Sequence, residues 1–263
     1  MGSLVFVGTG LQLAGHISVR SKDYIEKADV VFTLVPESNA QHWVEGLNDN
    51  IVDLQPFYAQ EGEIKSRRDT YKEMVAAIID AVRAGKKTVC ALYGHPGVFA
   101  CISHIAIAQA KKEGFNAHME PAISAEACLW ADVGIDPGKS GNQGYEASQF
   151  MFFKHIPDPT THLLLWQISL AGEHTLTKFH TDSDRLQILV EQLSEWYPLE
   201  HEIIIYEAAN LPVFEPRIDR IKLQDLPYAK LNHISTLVIP PSKKLEYNIE
   251  VMEKLGITPE DLG

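Results

Sequence analysis

Two stretches decide how this chain folds: Leu92-Tyr93-Gly94-His95-Pro96-Gly97-Val98-Phe99 and, further on, Pro121-Ala122-Ile123-Ser124-Ala125-Glu126. Each follows an apolar, β-branched run and opens a helix-like one, so both read as strand-to-loop-to-helix crossings at one sheet edge. An open α/β sheet binds its ligand at such an edge. The Gly-x-Pro-Gly turn lets backbone N–H and C=O groups approach a ligand with no Cβ in the way. Pro96 holds its own φ and removes a competing donor. The bland reading of the same residues is an ordinary tight turn.

Upstream, 4–8, 30–35, 51–54 and 88–93 are short β-rich runs. A helix pattern covers about 64–84 and closes at Gly85; another covers roughly 98–112 and ends at Gly114. This alternation predicts a parallel sheet flanked by helices. After Pro121 a helical stretch through Trp130 leads to Gly134-Ile135-Asp136-Pro137-Gly138-Lys139-Ser140-Gly141, the most linker-like segment. A second alternating region follows, with strands expected at 149–153, 162–168, 202–206 and 234–239, a helix at 184–196 and a terminal helix at 244–255. The predicted fold is α/β: two α/β lobes, 1–120 and 121–263, facing a shared ligand cleft.

With 263 residues, 45% hydrophobic and 22% charged, the composition is that of an ordinary globular protein. A net charge of −12, with no basic run longer than a pair such as Arg67-Arg68 or Lys243-Lys244, argues against a nucleic-acid partner. The amino terminus enters a strand directly and no uninterrupted apolar run approaches a membrane span, so a cytoplasmic protein with no membrane contact is expected. Cys90, Cys101 and Cys128 form no Cys-x-x-Cys pair and are expected to pack in the core. The eleven histidines lack metal-ligand spacing, and no metal is expected. Gly8-x-Gly10 suggests a dinucleotide fingerprint, but the third glycine position holds Leu13.

Val5-Phe6-Val7-Gly8-Thr9-Gly10, Tyr93-Gly94-His95-Pro96, Pro121-Ala122-Ile123-Ser124-Ala125 and Ser235-Thr236-Leu237-Val238-Ile239-Pro240 together resemble the tetrapyrrole methylase superfamily of S-adenosylmethionine-dependent methyltransferases, over nearly the whole chain. His95 stands where the small-molecule methylases usually carry Asp. The stretch from Phe57-Tyr58 to Arg67-Arg68-Asp69-Thr70-Tyr71 is similar to the peptide backbone α-N-methyltransferases of the borosin type.

An amide nitrogen is a poor nucleophile because its lone pair is delocalised into the carbonyl. Methylating it requires removal of the N–H proton, stabilisation of negative charge on oxygen, and alignment with the sulfonium methyl. Phenols and a guanidinium meet those needs. Arg67 and Tyr71 stand four apart in a helix-like segment and share a face, and a phenol near arginine is expected to have a lowered pKa. The resemblance implies that Tyr58 and Tyr71 grip and deprotonate the amide, that Arg67 stabilises the charge, and that Tyr93 lies beside the methyl group. Which phenol is the base stays open. The bland alternative puts Arg67 on a solvated face near Glu63 and Asp69, with both tyrosines packing.

For the cofactor, S-adenosylmethionine converted to S-adenosylhomocysteine, the expected contacts are Tyr93, Gly94, His95, Pro96, Gly97, Val98 and Phe99 at the methionine end, with Ser124 and Ala125 on the neighbouring loop. Gln167 ends an apolar strand, where a buried amide needs a partner such as adenine. Tyr206, Ala208, Ser235 and Thr236 are similarly placed at strand ends. The chain stops at Pro259-Glu260-Asp261-Leu262-Gly263 without an apolar core peptide, so the expected substrate is a separate ribosomally made precursor peptide, in natural product biosynthesis. A homodimer that also binds this precursor is expected. The competing readings are a methylase of a small tetrapyrrole-like metabolite and a peptide-binding module without catalysis.

Overall fold

The computed structural model describes residues 2–59 and 63–262. The chain divides into two compact units. The first comprises Met1–Ile135, Glu173–Phe179 and Glu207–Ile218. It begins with β1 (Ser3–Gly8), α1 (Val19–Glu26), β2 (Val30–Leu34), α2 (Ser38–Glu45) and β3 (Ile51–Asp53). It continues with α3 (Arg67–Arg83), β4 (Lys87–Leu92), α4 (Cys101–Lys112), β5 (Asn116–Met119) and α5 (Ala125–Val133).

All five strands run parallel, in the order β3-β2-β4-β1-β5. Both faces are covered, as a parallel sheet requires. Along β1, Leu4 and Phe6 point into a core with Met74, Ile78 and Val82 of α3, whereas Val5 and Val7 join Ile25 and Val44 on the other face. Strand β1 feeds a connection to β2 on one side, and its neighbour β4 feeds one to β5 on the other. The connections leaving β1 and β4 therefore run to opposite faces of the sheet, and an open α/β sheet takes its ligand at such a switch point.

The second unit comprises Asp136–Gly172, His180–Tyr206 and Asp219–Gly263. Its elements are α6 (Pro137–Ser140), β6 (Asn142–Glu146), α7 (Ala147–Phe152), β7 (His162–Trp166), α8 (Ser183–Leu193), β8 (Glu202–Glu207), β9 (Arg217–Lys222), β10 (Thr236–Ile239) and α9 (Ile249–Leu255); Glu207 at the end of β8 and Arg217 and Ile218 at the start of β9 belong to the first unit. The sheet order is β6-β7-β10-β8-β9. Strand β10 is antiparallel to β7 and β8, and β6 is parallel to β7. Leu186, Leu189, Val190 and Leu193, spaced along one face of α8, pack on Leu163, Leu165, Ile203 and Ile205.

Several expectations are corrected. The strand expected at 149–153 is helix α7: Glu146 caps it by accepting from Gln149 N at 2.7 Å, and a short buried apolar run has no period that tells strand from helix. The linker-like segment is ordered. Gly134 ends α5 in the left-handed region, Asp136 caps α6, and the chain enters β6 at once. The units part at Ile135 and Asp136 rather than at 120, and the first unit takes in two later segments. Helix α9 starts at Ile249 rather than 244, where the Asn248 side chain accepts from Val251 N.

Candidate active site

Three loops of the first unit meet at Gly8. A Cβ there would lie 2.1 Å from Gly94 O and 2.5 Å from the Ala122 Cβ, so only glycine lets the chain segments after β1, β4 and β5 approach this closely. Gly10 and Gly94, with φ of 70° and 68°, exchange two backbone hydrogen bonds of 3.2 and 3.0 Å that tie the first two loops together. Both expected strand-end loops are thus brought to one place.

The loop after β4 is braced from within. His95 Nδ1 accepts from Gly97 N at 2.9 Å, His104 Nε2 lies 3.0 Å from Gly97 O, and Ser103 Oγ donates to Pro96 O. Burial, aided by His104, lowers the His95 pKa and keeps the ring neutral. Phe99 closes the loop at φ 51°, a strained conformation for an aromatic residue. Ser124 accepts from Ala127 N and caps α5, so Ser124 and Ala125 stand at the head of that helix.

A second constellation forms around α3. Tyr58 follows a 3₁₀ turn, Gln55–Phe57, and Arg67 and Tyr71 occupy the first two turns of α3, which Ser66 caps. The rings of Tyr58 and Tyr71 meet edge to face, with centroids 6.3 Å apart. Their hydroxyls are hydrogen-bonded to each other. Phe179 packs on Tyr58 at 6.0 Å and stands under the Arg67 guanidinium at 5.2 Å. Helix α3 starts at Arg67 rather than 64, because Ser66 supplies the cap.

The lowered phenol pKa expected from arginine is overturned. Burial raises both Tyr58 and Tyr71, and the opposing pull of Arg67 is smaller. Nor is Arg67 on a solvated face. Its side chain is 11% exposed and pairs with the fully buried Glu173 at 3.2 Å, while its Nε is buried with no hydrogen-bond partner among the described residues. Asp69 pairs with Lys72 instead. Cys101, expected in the core, is exposed at the start of α4; Cys90 is buried and Cys128 partly so.

Tyr93 lines a separate pocket with Leu11, Glu37, Trp43 and Asn210. Burial, with Cys128 and Glu37 adding to it, pushes the phenol up to about 12. In the second unit, Tyr206 and Thr236 face each other across β8 and β10, and Leu165 pairs with Leu237. That register sets Gln167, at φ 56° just beyond β7, at the same end of the sheet as Tyr206, Ser235 and Thr236. Tyr206, Ser235 and Thr236 are buried. Ala208 lies beyond β8 in the first unit.

Glu173 and Phe179 escape sequence reasoning. Glu173 has a local signature, an acidic residue two before Thr175, but its partner lies 106 positions away.

Gly8, Gly94 and Gly97 thus bring main chain together without intervening side chains, beside the neutral imidazole of His95. No group of three or more His, Cys, Asp or Glu residues that could hold a metal occurs among the described residues, and no helix is long and apolar enough to cross a membrane.

Residues 3–226 match the family of tetrapyrrole (corrin/porphyrin) methylases. The chain is 36% identical over 263 residues to the methyltransferase/ribosomally synthesized cyclic peptide lentinulin A precursor of Lentinula edodes, covering 98% of this chain and 62% of that protein. It is 36% identical over 266 residues to a methyltransferase/ribosomally synthesized type I borosin cyclic peptide precursor of Coprinopsis marcescibilis, covering 97% of this chain and 67% of that one. The chain thus spans about two thirds or less of these relatives. Among solved structures it is similar to a uroporphyrin-III-C-methyltransferase from Thermus thermophilus, with a TM-score of 0.63 and 17% identity over 97% of this chain and 99% of that one.

Proposed function

The chain belongs to the tetrapyrrole (corrin/porphyrin) methylases, and from that premise we propose that it uses S-adenosylmethionine to methylate backbone amide nitrogens of a ribosomally made peptide. The single observation that carries this reading is the pair of hydrogen-bonded phenols beside a buried arginine. An electron-rich tetrapyrrole carbon needs no such set to become nucleophilic; an amide nitrogen does. The names of the two relatives, each joining a methyltransferase to a peptide precursor, support the same reading.

S-adenosylmethionine, when bound, supplies an electrophilic methyl group. Main chain from Tyr93 to Phe99, the helix start at Ser124 and Ala125, and Ala208, all in the first unit, are assigned to hold it. Arg67 favours the anion of either phenol; of the two, Tyr71 is the one whose pKa the hydrogen bond between them lowers. We assign Tyr71 as the base that accepts the amide proton, Tyr58 as the donor that stabilises its phenolate, and Arg67 as the cation facing the charge on the amide oxygen. Tyr93 lines the approach to the methyl group. A second copy of the chain would shelter an extended peptide from water, and the homodimer is part of this reading.

The test incubates the protein with S-adenosylmethionine and apolar peptides and reads intact and fragment masses alongside sedimentation. The expected result is one methylene of mass per transfer, located on backbone nitrogens, from a dimer. Methyl groups on an added peptide answer to a separate precursor; methyl groups on the enzyme's own polypeptide answer to the fused arrangement of the relatives. Transfer to a tetrapyrrole but to no peptide would overturn the reading, and cofactor binding without transfer would leave only a binding module.

A further inference from the structure

Arg67 must present one edge of its guanidinium to substrate while the rest stays still, and helix α3 alone does not do this. The segment Glu173–Phe179 does. It is remote in sequence from α3 yet belongs to the same compact unit. Glu173 Oε2 accepts from Arg67 Nη2 at 3.2 Å and from Leu176 N at 2.9 Å, and Oε1 accepts from Thr175 N at 2.8 Å and from the Thr175 hydroxyl. Leu176, held at φ 60°, accepts from Arg67 N through its carbonyl at 2.9 Å, so the same loop binds both the backbone and the side chain of Arg67. Phe179 supports the guanidinium plane from one side.

We propose that Glu173 is the positioning residue of the site: by taking Nη2 of Arg67 it fixes the guanidinium plane, so that the cation faces the charge that develops on the oxygen of the reacting amide. The proposal rests on the methylation reading for its function and on geometry for its structure. A buried carboxylate with four donors is a rigid anchor, and a carboxylate partner fixes a guanidinium plane better than a neutral group. Burial alone would raise the Glu173 pKa, but the donors of Thr175 and Leu176 together with Arg67 outweigh it and keep the group ionised.

The test compares Glu173→Gln, Glu173→Gln in an Arg67→Lys background, and Thr175→Val, which removes one donor from the anchor but leaves the charge. Glu173→Gln should lower kcat roughly 10- to 100-fold, the range for partners that orient a catalytic group, with less than about a 2-fold change in peptide KM or cofactor affinity. In the Arg67→Lys background the same change should cost little more, because its effect acts through Arg67. Thr175→Val should show a smaller loss of the same kind. The ¹⁵Nε–H resonance of Arg67, identified by its disappearance in Arg67→Lys, should move toward that of a free arginine in Glu173→Gln. An unmoved resonance, or a rate loss undiminished in the Arg67→Lys background, would overturn the proposal. If Glu173→Gln does not fold, Thr175→Val with an unmoved resonance and an unchanged kcat would do the same. Absence of peptide methylation by the unaltered protein would instead remove the methylation reading, while the resonance would still decide whether Glu173 holds Arg67.

Discussion

Tyr58, Arg67 and Tyr71 show what a single side chain's surroundings add to its identity. The i, i+4 spacing of Arg67 and Tyr71 is legible in the sequence and holds in α3. The direction of the phenol pKa values is not, because it depends on how much water the fold removes, and here burial outweighs the nearby cation. The sign has a kinetic consequence. With the Tyr71 pKa above about 10, only a small fraction is phenolate at neutral pH, and that fraction grows about tenfold per pH unit below the pKa. Accordingly kcat should climb with pH through the alkaline range. Tyr71→Phe should abolish the climb and lower kcat about 100-fold or more, whereas Tyr58→Phe should keep the climb but displace it to higher pH, since Tyr71 loses a donor that lowers its pKa. A pH-rate series on the three proteins checks this, and a flat profile in the unaltered enzyme would withdraw the base assignment from Tyr71.

Among the elements, β1 and β4 carry the site through their exits, and the glycines at those exits have unequal tasks. Gly94 needs its positive φ, but an added Cβ would meet only the Leu11 side chain at 3.9 Å. Gly8 would drive a Cβ into the Gly94 carbonyl at 2.1 Å. We expect Gly94→Ala to cost about 1 kcal/mol and Gly8→Ala about 3 kcal/mol or more, measured by urea denaturation. Equal costs would mean that the loops do not meet as described. From sequence alone Gly8 reads as part of an incomplete dinucleotide fingerprint; that it lets three loops meet depends on Gly94 and Ala122, far along the chain. Helix α7 carries the same lesson: its apolar run suits strand or helix equally, and the Glu146 cap settles it.

For the molecule as a whole, the first unit is discontinuous, and this has a measurable cost. A fragment of residues 1–135 lacks Glu173, Leu176 and Phe179 beside α3 and lacks Asn210, whose carbonyl accepts from Leu13 N at 3.0 Å. We expect that fragment, followed by circular dichroism, to unfold at markedly lower urea than the full chain; matching midpoints would show that the later segments contribute nothing to the unit. The sequence by itself determined the alternation of strands and helices, the glycine-bearing turn after β4 and the spacing of the residues on α3, because these follow from local sterics and from hydrophobic period along a few consecutive residues. Only the tertiary structure decided that the loops after β1, β4 and β5 converge on Gly8, that Arg67 is buried against Glu173, and that Phe179 packs on both Tyr58 and Arg67. Those relations join residues far apart in the chain, and they are set by which side chains and loops the packed sheet brings together.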